Sequence, residues 1–155
     1  MTKLAPADRS ISAIRALLPQ RHPILLVDQV THCAPGERID TIKGVSGSEP
    51  CYAALAEDAT APDYDYPATL VLESFVQSAA LLWAHTRGAR LDGVLVLAGV
   101  QGATFLTSAR PGDQIRHEVV LASQTGPSAF FSGRSSSASG VVLTVRQLVL
   151  ALRPR

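Results

Sequence analysis

The residue that most demands a chemical explanation is Glu73. It falls in the run Leu70-Val71-Leu72-Glu73-Ser74-Phe75-Val76-Gln77, which continues through Ala79, Ala80, Leu81, Leu82 and Trp83. Ionised glutamate is seldom fully buried without a partner. A carboxyl group in an apolar setting holds its proton toward neutral pH and can deliver it, which makes Glu73 a candidate general acid. Gln77 follows four residues later and shares a helical face with Glu73, so its amide is suited to orient the carboxyl group. The competing reading is a structural carboxylate paired with an arginine at an interface. At the head of the same helix, free backbone N–H groups at Ala68, Thr69 and Leu70 can polarise a carbonyl or hold a developing oxyanion, making these three the candidate substrate-binding positions. The four histidines do not cluster: His22 reads as a packed loop residue, His32 lies near a strand end, and His85 is in the last helical turn. His117 alternates on a strand, where it is expected to face solvent. With no H-x-x-x-H, H-E-x-x-H or C-x-x-C spacing, no metal and no cofactor are expected. Neither a phosphate-binding glycine loop nor a G-x-S-x-G elbow is present.

The elements that position these residues follow from pattern. Pro67 suits the first position of a helix, because its missing N–H would have no intrahelical partner there. The helix is expected to run to about Arg87, with Gly88 as its stop. Apolar residues surround its axis, so it belongs in a core. Before it, Ser10 caps a short helix with Ile11, Ile14, Leu17 and Leu18 on one side and Pro19 as its end. Ile24–Thr31 and Arg38–Val45 read as a hairpin turned at Pro35-Gly36, and Gly47–Tyr66 is irregular. After the helix come four strand patterns: Val94–Leu106, Gln114–Ser123, Ala129–Ser136 and Val141–Leu152. An antiparallel sheet curled around one central helix satisfies this order, which is an α+β layering.

One domain over residues 1–155 accommodates the whole pattern. A composition that is 46% hydrophobic and 17% charged excludes disorder, and a net charge of +1 selects neither nucleic acid nor an anionic membrane. Cys33 and Cys51 read as two buried, reduced thiols. Met1–Gln20, with Lys3, Asp8, Arg9 and Arg15, shows no secretory leader. Leu70–Ala84 falls short of a membrane span, so a soluble, cytoplasmic protein is expected.

Several segments in the same order resemble one family. Leu18-Pro19-Gln20-Arg21-His22-Pro23-Ile24-Leu25-Leu26-Val27-Asp28 is similar to the L-P-H-R-Y-P-F-L-L-V-D opening of the β-hydroxyacyl-acyl carrier protein dehydratases. Pro67-Ala68-Thr69-Leu70-Val71-Leu72-Glu73-Ser74-Phe75-Val76-Gln77 resembles that family's P-G-V-L-I-L-E-A-M-A-Q. Pro35-Gly36, Glu49-Pro50, Leu97-Ala98-Gly99-Val100, Ala103-Thr104-Phe105 and Arg110-Pro111-Gly112-Asp113-Gln114 match further family segments. The resemblance implies a hot-dog fold that dimerises into a continuous sheet. It also implies a two-residue mechanism, in which a loop histidine in G-H-F-P removes the C2 proton of a β-hydroxyacyl thioester. A central-helix glutamate of the other subunit, where Glu73 falls, then protonates the departing hydroxyl, and Gln77 matches the family glutamine.

The histidine itself is missing. Counting back about fourteen residues from the glutamate, the usual spacing of such a motif, reaches Ala59, whereas aligning forward from Glu49-Pro50 reaches Leu55. No histidine lies between Cys33 and His85, and Ala68 replaces the family glycine. Asp58, Asp63 and Asp65 are the carboxylates at hand, and an aspartate near its ordinary pKa of about 4 is a poor base for that step. The implied partner is a carrier-bound thioester, together with a homodimer mate or a His-bearing homologue in a heterodimer, through an edge strand at 94–106. Arg87, Arg90, Arg110 and Arg116 are the expected docking cluster for an acidic carrier. A non-catalytic acyl-thioester module and a hot-dog thioesterase are the other function classes open at this point.

Overall fold

The computed structural model describes residues 9–154, and Lys3 and Asp8 lie outside them. Helix α1 (Ile11–Leu17) is capped by Ser10, whose Oγ accepts from the Ala13 N–H at 3.4 Å. It buries Ala13, Ile14 and Leu17, while Ile11 is turned out to solvent. Strands β1 (Gln29–Ala34) and β2 (Arg38–Gly44) form the expected hairpin, but β1 begins five residues later than its apolar pattern suggests. The reason is that the N–H groups of Leu26 and Val27 are directed to the Gln77 side chain instead of to a neighbouring strand. Two short 3-10 turns, Pro50–Tyr52 and Ala61–Tyr64, interrupt the irregular 47–66 segment.

Helix α2 (Ala68–Arg87) has 20 residues, about 30 Å at 1.5 Å per residue. Pro67 is its cap and not its first helical residue, and Gly88 ends it in the left-handed region at φ 67°. Strands β3 (Val94–Phe105), β4 (Gln114–Thr125), β5 (Ser128–Ser137) and β6 (Gly140–Arg153) complete a six-stranded antiparallel sheet in the order β1-β2-β4-β5-β6-β3. The sheet packs on α2 chiefly through β4 and β2, which gives the helix-in-a-sheet arrangement the resemblance implied. By length and composition α2 could cross a membrane, contrary to the expectation from Leu70–Ala84, but 67% of its apolar window is buried in the protein, as befits a core helix. Strand β3 lies at the sheet edge, paired only with β6, and exposes Val94, Val96, Leu97 and Phe105.

The core departs from expectation at one polar residue. His117 faces inward, in phase with Ile115, Val119 and Leu121, and is completely buried. Its Nε2 lies 2.8 Å from Ser74 Oγ and its Nδ1 lies 2.7 Å from Ser135 Oγ, so both ring nitrogens are satisfied without water. Burial disfavours the imidazolium and holds the ring at a pKa of about 3. Among the cysteines, Cys33 is half-buried and Cys51 is exposed, both free thiols and neither of them the buried residue expected.

The sign of the pH dependence follows. Between the ordinary value of 6.5 and about 3, the unfolded chain binds a proton at His117 that the folded chain refuses. Stability is therefore lost as pH falls through that window. Urea unfolding of the wild type and of His117→Leu at pH 7, 5 and 4 should show the variant losing stability more slowly. Parallel curves would contradict the assignment.

Candidate functional site

Glu73 sits on the second turn of α2, one residue before Ser74. The side of the turn bearing Ser74, Phe75 and Ser78 packs on the sheet, whereas Glu73 and Gln77 turn toward the 24–27 segment. Glu73 is half-buried and not the buried acid expected. Gln77 is fully buried and makes four hydrogen bonds. Its Nε2 donates to Glu73 Oε1 at 2.8 Å and to the Ile24 carbonyl at 2.7 Å. Its Oε1 accepts from the Leu26 N–H at 2.9 Å and the Val27 N–H at 3.4 Å. One carboxylate oxygen of Glu73 is thus held by an amide that is itself held by backbone.

The helix head is only partly as expected. Ala68 and Thr69 are exposed, and their N–H groups meet no acceptor among the described residues. Leu70 is different: its N–H donates to the Pro67 carbonyl at 2.9 Å, because the first turn tightens and consumes that donor. A cavity of about 180 Å³ opens here, lined by Tyr66, Ala68, Val71, Phe105 and Leu106. Glu73 is not among its lining residues.

The 47–66 segment contains no base of histidine strength. Leu55, at the position reached from Glu49-Pro50, is partly buried and packs against the core. Asp63 accepts from the Thr60 N–H and hydroxyl, which hold its carboxyl below the usual range. Asp65 is held low by hydrogen bonds from the Arg110 guanidinium and then the Ser108 hydroxyl, and Asp58 is exposed. A carboxylate stabilised in its charged form is a weaker base than a free one. The segment is anchored by a pair that the sequence reading passed over: buried Lys43, whose Nζ bonds Glu49 Oε1 at 2.5 Å and the Gly44 carbonyl at 2.6 Å. His22, read as packed, is exposed.

The four arginines are not one cluster. Arg110 is bound to Asp65 near the head of α2. Arg116 lies on the outer face of the sheet, where Asp40 accepts from both it and Arg38. Burial would raise the Asp40 carboxyl, but the two guanidinium hydrogen bonds outweigh it and hold it low. Arg87 and Arg90 lie at and beyond the other end of α2 and have no carboxylate partner among the described residues. No group of three or more potential metal ligands occurs among the described residues.

No family model matches the chain. Among curated proteins it is 34% identical over 134 residues to the 3-hydroxyacyl-(acyl-carrier-protein) dehydratase FabZ of Halorhodospira halophila, with 85% of each chain covered. It is 39% identical over 114 residues to the FabZ of a Polaromonas species, covering 72% of this chain and 75% of that one. Among solved structures, the dehydratase heterocomplex ApeI:P from Xenorhabdus doucetiae superposes with a TM-score of 0.73 at 18% identity, covering 92% of this chain and 91% of that chain. A hypothetical thioesterase protein from Streptococcus pneumoniae, solved with coenzyme A, gives 0.59 at 11% identity, covering 81% and 85%. At such identities the two structures speak for the fold.

The geometry predicts a cost for disturbing the amide. Gln77→Leu strips the side-chain acceptor from the buried Leu26 and Val27 N–H groups, each unpaired buried group costing about 1–3 kcal/mol. Urea denaturation should therefore show a loss of roughly 2–6 kcal/mol. A loss below about 0.5 kcal/mol, the range of an ordinary surface substitution, would mean that Gln77 does not anchor this segment.

Proposed function

Because the chain belongs to the 3-hydroxyacyl-(acyl-carrier-protein) dehydratase family, we propose that it is the acid-donating subunit of a composite dehydratase site, with Glu73 from this chain and a histidine base from a homologous partner. The observation that carries this reading is an asymmetry. The residues of the acid side are present, with Glu73 held by Gln77, while the loop that would carry the base has no histidine.

In the proposed reaction the partner's histidine takes the C2 proton of a 3-hydroxyacyl thioester. The electron pair forms the C2–C3 double bond as the C3–O bond breaks, and Glu73 delivers its proton to the departing hydroxyl. The products are a 2-enoyl thioester and water. The unpaired N–H groups of Ala68 and Thr69 are suited to hold the negative charge that develops on the thioester oxygen. The family's named substrates support a carrier-bound thioester here. Of the four arginines, Arg87 and Arg90 are the two left open to an acidic carrier.

Assembly runs through β3 in this reading. No charged residue lies between Gly93 and Ala109, and a long, apolar, uncharged edge is one that proteins normally cover. Pairing this edge with a second hot-dog chain completes the sheet. That a structure of this fold is described as a dehydratase heterocomplex supports a partner that is a homologue and not an identical copy. The site facing this chain's own loop would then be inactive.

The isolated chain should show almost no dehydration of 3-hydroxyacyl thioesters. Adding a His-bearing homologue should give a 1:1 complex by sedimentation and raise turnover by about 10²–10⁴-fold, the range typical of a positioned acid or base. Robust dehydration by the isolated chain would overturn the shared site. Thioester binding without any gain in turnover on mixing would identify a non-catalytic module instead.

A further inference from the structure

Helix α2 is apolar on nearly every side, and apolar packing has no direction. Burial alone therefore specifies the helix's rotation about its own axis only weakly. The structure supplies directional contacts where they are needed, through five buried polar side chains that bind one stretch of α2 to three strands. Thr41 of β2 lies 2.7 Å from Ser78 Oγ, and Ser78 Oγ donates to the Ser74 carbonyl at 2.8 Å. Ser74 Oγ donates to the Val71 carbonyl at 3.0 Å and meets His117 Nε2 of β4, whose Nδ1 meets Ser135 Oγ of β5. All five side chains belong to fully buried residues.

The donors and acceptors close in one consistent way. Ser74 spends its only hydroxyl proton on the Val71 carbonyl, so it accepts from Nε2–H of His117, and Nδ1 then accepts from the Ser135 hydroxyl. Ser78 likewise spends its proton on Ser74 and accepts from Thr41. Turning α2 by one residue, 100° for 3.6 residues per turn, would leave several of these groups buried and unpaired, an arrangement folded proteins avoid. Each pinned residue is also the immediate neighbour of a site residue: Ser74 follows Glu73, and Ser78 follows Gln77. The family pattern quoted above has alanine where Ser74 stands, so this bond lies outside the shared motif.

We infer that the Ser74–His117–Ser135 and Thr41–Ser78 hydrogen bonds form a rotational stop for α2, which makes Ser74, Ser78 and His117 positioning residues that aim Glu73 and Gln77 at the 24–27 segment. Their aiming of a catalytic acid rests on the composite-site reading. The stop itself concerns only the helix and is tested without turnover.

The test compares the full-length wild type with the triple variant Ser74→Ala, His117→Leu, Ser135→Ala, which removes donor and acceptor together and leaves no group unpaired. Solvent exchange of the Gln77 side-chain NH₂ protons is read by NMR on the free chain. In the folded triple variant exchange should accelerate at least about tenfold, the equivalent of losing one net hydrogen bond. In His117→Gln, whose amide can donate to Ser74 and accept from Ser135, it should return toward the wild-type rate. Ser78→Ala, which removes a single hydroxyl, should give a smaller acceleration. In the reconstituted pair the triple variant should lower kcat about 10–100-fold with KM unchanged, as expected for a misaimed group. Wild-type exchange in both the triple variant and Ser78→Ala, or fast exchange in folded His117→Gln, would overturn the stop. Because exchange is measured without a partner or a reaction, failure of the stop leaves the composite site standing, and an inactive pair leaves the stop standing.

Discussion

The amide of Gln77 is the contact on which the arrangement of this protein turns. Its oxygen takes up two backbone N–H groups of the 24–27 segment, and its nitrogen is divided between the Ile24 carbonyl and Glu73. A primary amide offers two donors and two acceptor lone pairs, and all four are used. The consequences run in both directions along the chain. Upstream, an apolar segment is kept out of the sheet, and β1 starts only at Gln29. Downstream, one oxygen of a carboxylate is held.

No histidine accompanies that carboxylate on the 47–66 segment. The 47–66 segment is well ordered by its own contacts: Lys43 on Glu49, Asp63 capping Thr60, Asp65 on Arg110, and the Tyr52 hydroxyl on the Tyr64 carbonyl. These bonds lower the proton affinity of Asp63 and Asp65, which makes them weaker bases than free carboxylates. In the proposed composite site the base comes from another chain, and the edge strand β3 is where that reading places the contact.

The parts of this account readable from sequence are those governed by local spacing. Glu73 and Gln77 are four residues apart on a helix, and their pairing followed from that alone. The order of strands after α2 followed from Pro-Gly and Gly punctuation. What escaped depended on contacts across the chain. Ile24–Val27 has strand-forming residues, yet its N–H groups answer to a glutamine 50 or 51 positions away. His117 was read as exposed because it is polar, although the phase it shares with Ile115 and Val119 points inward. What makes its burial tolerable is a pair of hydroxyls, 43 and 18 residues distant, that only the fold assembles. The arginines looked like one group in sequence because nothing local reveals that Arg116 faces outward to Asp40 while Arg110 reaches Asp65.

The central claim, that this chain supplies the acid and not the base, is tested most directly by placing one substitution at a time in the reconstituted pair. Glu73→Gln in this chain should lower kcat for 3-hydroxyacyl thioester dehydration by at least about 10²-fold, the lower range for loss of a general acid, with the complex still 1:1 by sedimentation. The matching glutamate-to-glutamine change in the partner's own central helix, which would face the His-less loop of this chain, should leave turnover unchanged. The reverse pattern, with Glu73→Gln active and the partner's variant inactive, would contradict the account.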